Sequence, residues 1–383
     1  MIAAVNKVLV IGGGFSGMTA AIQLAREGVE VDLVEIDPLW CPLGAGITLS
    51  GPTLRALDTV GILERVAAEG YLSTNFDVFS PVGELIVQLA LRPPVSDKPI
   101  PCGGGILRPV LARIFADKTR EVGTHVRLGI TFDSLIEHAD GVEVSFTDGT
   151  SGRYDLVIAA DGVHSRMRKD FFPEAPSPKP IHQSVWRAVL KRPQEIVRPS
   201  HWLGRTKVGV NPISETHMYM FLMENREFSE WIDPASWPGE MARLLGEFPA
   251  PILQTLVPQL FEPGANIDYR PLANLLVPLP WHKGRVVMIG DTVHATTPHL
   301  ASGAGIGIES AIVLAEELFA DSDLQAALSR FEARRWERCQ LVVENSARLC
   351  EIEKSAGDKD EHAQIMREST ATLAEPILSL IHI

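Results

Sequence analysis

The sequence predicts an α/β fold in which a parallel sheet flanked by helices is interrupted by a second, mixed sheet and followed by long C-terminal helices. Three observations carry this expectation. The chain opens as strand, glycine turn, helix, strand. Two later apolar runs, at 154–160 and 285–289, end in the same manner, at Asp161-Gly162 and Gly290-Asp291. Past Pro180 the texture changes to short alternating runs that read as strands with one buried face.

Each element has a local reason. Lys7-Val8-Leu9-Val10-Ile11 is apolar and stops at glycines, which predicts a buried strand and is too short for a secretory leader. Residues 18–27 carry apolar positions at helical spacing, Gly28 supplies the stop, and 29–35 resumes as a strand. This is a βαβ unit, whose crossover is expected to be right-handed. Residues 52–68 read as helix with a break at Gly61, and 75–91 as strands about a Pro81-Val82-Gly83 turn. A Pro/Gly-rich connection at 93–105 precedes a helix over 107–121 and short strands at 126–128, 134–138 and 142–146. Beyond it, strands are expected at 184–190, 207–210 and 218–223, and helices within 239–247, 251–260, 303–319 and 323–354. The simplest organisation is a discontinuous unit of 1–74, 100–180 and 268–330, a sheet domain of 75–99 and 181–267, and a C-terminal helical segment, 331–383.

Composition sets the outer bounds. With 383 residues, 45% hydrophobic and 22% charged, a packed core is feasible. Thirty-five basic against 48 acidic residues give a net charge of −13 with no basic block, which argues against nucleic acid as a partner. Cys41, Cys102, Cys339 and Cys350 are scattered and form no CxxC pair, so neither a disulfide framework nor a structural metal site is expected. No stretch approaches the ~20 apolar residues that span a bilayer, and the expected location is the cytoplasm. Residues 358–383 are expected to cover the domain junction or a homodimer surface.

Gly12-Gly13-Gly14-Phe15-Ser16-Gly17 matches GxGxxG between a strand and a helix. Gly12 permits the tight turn, Gly14 admits a pyrophosphate to the backbone, and Gly17 lets the helix pack on the strand. The free N–H groups at the helix start then face the diphosphate. Glu35 closes the second strand, where a carboxylate accepts from ribose hydroxyls. This Rossmann-like arrangement points to a dinucleotide without choosing between FAD and NAD.

Two further segments make that choice. Tyr154-Asp155-Leu156-Val157-Ile158-Ala159-Ala160-Asp161-Gly162 resembles the Asp-Gly motif of flavoprotein hydroxylases, and Arg285-Val286-Val287-Met288-Ile289-Gly290-Asp291 resembles their Gly-Asp motif. The three motifs in this order resemble the group A flavin-dependent aromatic monooxygenases, typified by para-hydroxybenzoate and salicylate hydroxylases, from residue 7 to about 345. The resemblance implies a Rossmann-like FAD-binding domain with an inserted mixed β-sheet substrate domain and C-terminal helices. It implies tightly bound, non-covalent FAD and NAD(P)H as a transient co-substrate. O2 would be activated as a flavin C4a-hydroperoxide that hydroxylates a small aromatic or heteroaromatic compound. By the same resemblance Asp291 would bond the ribityl and pyrophosphate region, and the helix beginning at Gly303 would face the flavin pyrimidine. Arg108 would contact the cofactor, and Asp161 would serve both FAD and NAD(P)H, with Arg166 and Arg168 nearby to attract a phosphate. The pattern departs from the family at two places: Thr292-Val293 stands for two alanines, and Ala301-Ser302-Gly303 for Gly-Gln-Gly.

The chemistry would rest on the cofactor and on residues that position the ring. No second GxGxxG exists, and Cys41 lacks the second thiol that disulfide reductases need. Alternation at 217–221 places His217, Tyr219 and Phe221 on one face of a strand and Met218 and Met220 on the other. Tyr219 and Lys207 resemble the substrate-orienting pair of purine- and phenol-oxidising relatives, Tyr219 bonding substrate and Lys207 steadying negative charge. Pro298 would shape the oxygen pocket, His299 could reach substrate, and His294 would hold the loop. Gly44-Ala45-Gly46 resembles the small-residue loop beside the flavin. The competing expectation is a related FAD-dependent reductase or oxidase that inserts no oxygen. A flavin-binding module without catalysis is the third.

Overall fold

The computed structural model describes residues 4–41, 44–226 and 232–377. Its first layer is a six-stranded sheet in the order His282–Lys283, Val286–Met288, Leu156–Ala159, Lys7–Ile11, Glu30–Glu35, His125–Leu128. All neighbours run parallel except the first pair. Val10 lies between Leu33 and Ile158, and these strands are apolar on both faces because both are covered. The helices Phe15–Arg26 and Gly303–Ala320 pack on this layer and on each other.

Glycines set how closely those two helices approach. A Cβ at Gly17 would stand 2.0 Å from the Gly12 carbonyl oxygen. Cβ atoms at Gly290 and Gly307 would each meet the Ser16 hydroxyl at 2.4 Å, so one serine side chain spaces the first helix from the second.

The second layer is a seven-stranded sheet in the order Asp268–Asn274, Lys179–Lys191, His217–Asn225, Lys207–Pro212, Ser200–Leu203, Asn75–Phe79, Leu85–Ala90. It is mixed because Ser200–Leu203 pairs parallel with Asn75–Phe79. The sheet runs past the boundary expected at 267, since Asp268–Asn274 pairs with Lys179–Lys191. Met218, Met220 and Leu222 pack with Met241, Leu244 and Leu253 of the helices Trp237–Leu245 and Pro251–Gln254, leaving Tyr219 and Phe221 on the opposite face.

A three-stranded sheet, Gly46–Ser50, Gly103–Leu107 and Tyr71–Ser73, joins the layers. The expected loop at 93–105 thus ends as strand. Three consecutive glycines are used there because other backbones crowd them: a Cβ at Gly104 would meet the Tyr71 carbonyl oxygen at 2.6 Å, and one at Gly105 the Pro212 oxygen at 2.5 Å.

Beyond the sheets, the helix Leu324–Ser355 starts at Asp323, whose carboxylate accepts from the N–H groups of Gln325 and Ala326. A last helix, Lys359–Ala374, falls within the C-terminal helical segment expected at 331–383. Its carboxyl end is held by two arginines. Arg55 donates to the Ala374 and Glu375 carbonyls (2.7 and 3.0 Å), and Arg338 to those of Thr372 and Leu373 (3.0 and 2.7 Å). Buried Glu309, on the Gly303–Ala320 helix, accepts from Arg338 and lies 3.4 Å from Arg335 and 3.7 Å from Arg55. Burial raises the Glu309 pKa, but the three guanidiniums outweigh it and hold the carboxyl below its usual range. Leu378–Ile381, part of the expected apolar ending, lies outside the described residues.

Candidate active site

The motif residues meet at the carboxyl ends of Lys7–Ile11, Leu156–Ala159 and Val286–Met288, adjacent strands of the parallel sheet. Gly12 has φ +107°, and a Cβ on it would stand 2.4 Å from the Ala160 oxygen, beside Asp161. At Gly14, in contrast, an added Cβ meets nothing within 4 Å. Glu35 accepts the Gly13 N–H at Oε2 (2.6 Å) and the Asp37 N–H at Oε1 (2.8 Å), which leaves each oxygen a lone pair for a hydroxyl. Trp40, which sequence reasoning missed, donates its indole N–H to the Gly13 carbonyl at 2.8 Å and carries the Arg120 guanidinium over its ring at 4.8 Å. Its φ of +46° gave no sign in the sequence.

The residues present fit a dinucleotide carrying a diphosphate. Neither the Phe15–Arg26 nor the Gly303–Ala320 helix has an acidic residue in its first turn or a side-chain cap, so both present free N–H donors and a positive dipole end. Arg108 begins the helix Arg108–Glu121, donates its own N–H to the Ala45 carbonyl at 3.0 Å, and has a buried Nε with no partner. Asp291 is exposed by area yet deep among protein atoms, as a carboxylate on a cleft wall is; desolvation raises its pKa, opposed by His294 and Arg108.

The Asp-Gly and Gly-Asp turns are tied together. Thr292, one of the departures from the family pattern, accepts the Gly162 N–H at 3.1 Å and points its hydroxyl at Asp161 (3.5 Å). Asp161 in turn accepts the Met167 N–H at 3.0 Å. Arg168 is buried and donates to the Thr292 and Val163 carbonyls, and Arg166 donates to those of Phe132 and Asp133. Both guanidiniums hold loops in place, so the phosphate attraction expected of them finds no support. Ala301, the other departure, adopts φ +49°, a conformation that suits glycine.

Across the cleft lies the inner face of the seven-stranded sheet. The Tyr219 ring covers Gly46, whose Cβ would fall 2.1 Å from it, and the Tyr219 hydroxyl bonds Thr48. Asn211 is the register partner of Tyr219; its Nδ2 donates to Thr48 Oγ1 at 3.1 Å while its Oδ1 is buried without a partner. Arg187, partner of Phe221, has a buried Nε that comes no nearer to Asp268 than 3.6 Å. Burial raises the Tyr219 pKa, and Thr48 and Arg187 only partly offset it, so the phenol stays protonated.

Lys207 does not touch Tyr219. It lies farther along the same strand as Asn211 and pairs with Glu353 Oε1 at 2.7 Å. His362 approaches that oxygen at 3.2 Å, and His299 Nε2 approaches Glu353 Oε2 at 3.5 Å. Burial pushes the Glu353 pKa up, but Lys207 and the two imidazoles outweigh it and keep the group ionised. Burial lowers the pKa of His299, whose Nδ1 bonds Thr297 at 2.8 Å. His201, edge-on to Phe76 and Phe221, is lowered to about 3 by burial and then by Lys207. His217 is exposed; His294 is buried and bonds Ser310 at 3.0 Å; Pro298 is exposed at the start of a short turn of helix. Among the described residues no cluster of His, Cys, Asp and Glu is arranged to hold a metal, and no helix is long and apolar enough to cross a membrane.

Comparison with known proteins identifies the family. The family profile described as FAD binding domain matches residues 6–346. The chain is 30% identical over 357 residues to the aurachin C monooxygenase/isomerase of Stigmatella aurantiaca, covering 90% of this chain and 89% of that protein. It is 28% identical over 367 residues to the FAD-dependent urate hydroxylase of Klebsiella pneumoniae, covering 90% of each. The crystal structure of Klebsiella pneumoniae HpxO complexed with FAD and uric acid superposes with a TM-score of 0.79 at 25% identity, over 96% of this chain and 92% of that one. With a matching profile over most of its length and the cofactor cleft its motifs require, the chain belongs to the FAD-binding-domain family and is a group A FAD-dependent monooxygenase.

Proposed function

We propose that this monooxygenase hydroxylates a planar heteroaromatic ring whose edge carries both hydrogen-bond donors and acceptors, with NAD(P)H as a transient reductant in a single-chain enzyme. The observation that carries this reading is the polar trio on the inner sheet face. The protonated Tyr219 hydroxyl, with Asn211 Oδ1 and Arg187 Nε, neither of which makes a hydrogen bond, together offer donors and an acceptor to one flat molecule. Buried polar atoms without partners are costly, and a ligand that satisfies them gains correspondingly. Two relatives whose names specify urate and aurachin C act on compounds that support the same class.

When bound, FAD would carry two electrons from NAD(P)H to O2, one atom of which goes to the ring while the other leaves as water. The chain holds it with Gly12, Gly14, Gly17, Glu35, Arg108, Asp161, Gly290, Asp291 and the helix end at Gly303. Tyr219 and Asn211 orient the ring, and Arg187 favours negative charge on its edge. Lys207 acts through Glu353, since its ammonium is already paired there. His299, kept neutral by burial, can accept or return a proton at Nε2, and Pro298 shapes the opening. Phe76 and Phe221 with neutral His201 form an apolar wall that excludes water.

The test uses the purified yellow protein with O2, NADH or NADPH, and a panel of urate, hydroxyquinolones, hydroxypyridines and simple phenols. A heteroaromatic that accelerates NAD(P)H oxidation and gains one oxygen by mass spectrometry supports the proposal. Turnover that yields only H2O2 or a non-oxygenated product with every compound argues against it.

A further inference from the structure

One carboxylate joins five elements that lie far apart in the sequence. Glu353, near the end of the Leu324–Ser355 helix, is 20% exposed and accepts from Lys207, the first residue of the strand Lys207–Pro212, at 2.7 Å. His362 of the Lys359–Ala374 helix approaches the same oxygen at 3.2 Å. The other oxygen faces His299, in the Pro298–Leu300 turn, at 3.5 Å. His201, on the neighbouring strand Ser200–Leu203, completes the group and responds to the charges of both Lys207 and Glu353. Cys350, one helical turn before Glu353, is kept neutral by burial, which raises its pKa to about 12.

The surroundings leave His299 with one open nitrogen. Its side chain is 1% exposed; Nδ1 bonds the Thr297 hydroxyl at 2.8 Å, and Nε2 is buried and makes no hydrogen bond. An uncharged imidazole carries one N–H and one lone pair. A lone pair turned toward an ionised carboxylate is repelled, whereas an N–H turned toward it is attracted. Nε2 therefore carries the hydrogen, and Nδ1 accepts from Thr297. At 3.5 Å the contact is longer than a full hydrogen bond and acts as a charge–dipole attraction. Glu353 favours a second proton on the ring, while burial, Lys207 and His362 oppose it.

The turn that carries His299 follows the Gly-Asp motif and leads through Ala301 and Ser302 into the uncapped start of the Gly303–Ala320 helix. We propose that Glu353 is a positioning residue: its charge fixes the tautomer and orientation of the His299 ring, and so holds the Pro298–Leu300 turn against the substrate sheet. The role rests on reading this cleft as the monooxygenase site. Lys207 supplies the counter-charge that lets a largely covered carboxylate stay ionised beside the turn, and His362 brings the last helix to the same group.

The test uses the full-length, FAD-loaded chain with isotope-labelled histidine nitrogens, the His299 signals being those lost in His299→Gln. At neutral pH the wild type is expected to show the His299 proton on Nε2. Lys207→Met/Glu353→Leu removes both charges together, which spares the fold an unpaired ion. There the proton is expected on Nδ1, because Thr297 is the one acceptor left and a buried N–H without an acceptor is costly. Lys207→Met alone keeps the carboxylate without its counter-charge, and His299 is expected to hold a second proton to a pH about one higher than in the wild type. With any compound of the panel that is oxygenated, the double variant is expected to lose roughly tenfold in kcat, with KM changed less than about twofold and more H2O2 released. A proton that stays on Nε2 in the double variant, or no gain of protonation in Lys207→Met, overturns the proposal. So does a double variant with wild-type kcat and coupling. If no compound of the panel is oxygenated, the proposed function fails, while the nitrogen signals still decide the role of Glu353.

Discussion

The two large sheets of this enzyme solve the problem of holding a ligand in different ways. In the proposed cofactor site the six-stranded sheet would offer mainly backbone: glycine turns, two uncapped helix starts, and Arg108 as the added side chain. In the proposed substrate site the seven-stranded sheet would instead offer side chains, Tyr219, Asn211 and Arg187, drawn from neighbouring strands. Backbone recognition leaves a sequence signature because only glycine allows the chain to approach so closely. Side-chain recognition leaves almost none, because it depends on which strands become neighbours.

Substitutions can separate the two halves. The largest effect is expected from Gly17→Ala, whose methyl would collide with the Gly12 carbonyl oxygen. Backbone cannot yield cheaply, so a loss of about 3 kcal/mol and a colourless protein are expected in thermal melts and flavin spectra. Next comes Arg108→Gln, which removes a charged donor with an unpartnered Nε. FAD affinity should fall roughly 10–100-fold by fluorescence titration, with the apoprotein fold unchanged. Retention of wild-type affinity would place Arg108 outside the cofactor site.

Tyr219→Phe should leave FAD affinity intact and lower kcat/KM about tenfold, with more H2O2 released per NAD(P)H oxidised. Unaltered coupling would remove Tyr219 from the substrate site. His201 tests the same wall through pH. Its folded pKa is depressed to about 3 against an ordinary 6.5, so the unfolded chain takes up the proton first. Its contribution to stability is complete above pH 6.5 and declines as pH falls toward 3, by at most about 1.4 kcal/mol per pH unit. His201→Phe, suited to a site between Phe76 and Phe221, should flatten that acid slope in denaturation measurements at pH 7 and pH 5. The smallest effect belongs to the cofactor half: Ala301→Gly relieves a left-handed alanine and should stabilise by about 1 kcal/mol without loss of flavin.

The same division explains what could be read in advance. The strand ends at Gly12, Glu35 and Asp291 were legible because an apolar run stops at each, with a further glycine adjoining Gly12 and Gly290 preceding Asp291. Gly103-Gly104-Gly105 looked like a loop, since nothing nearby in sequence announces the Tyr71 and Pro212 backbones that crowd it. Lys207 was correctly placed on the sheet but its partner was not, because Glu353 arrives from a helix far along the chain. Asn211 was visible beside Pro212, yet only its register with Tyr219 gives it meaning. Trp40 needed the fold of an irregular segment to reach Gly13.

The arginine clasp at the end of the last helix has a practical consequence. Arg55 and Arg338 share the one Glu309 carboxylate with Arg335 and take most of their other acceptors from residues 372–375, so the terminal helix acts as a cork seated beside the Gly303–Ala320 helix. Clipping the chain ahead of Lys359 would leave two cations facing solvent at the flank of the helix that starts at Gly303. Protease-trimmed protein is therefore expected to shed flavin more readily than intact protein while retaining every motif that announces a flavoenzyme.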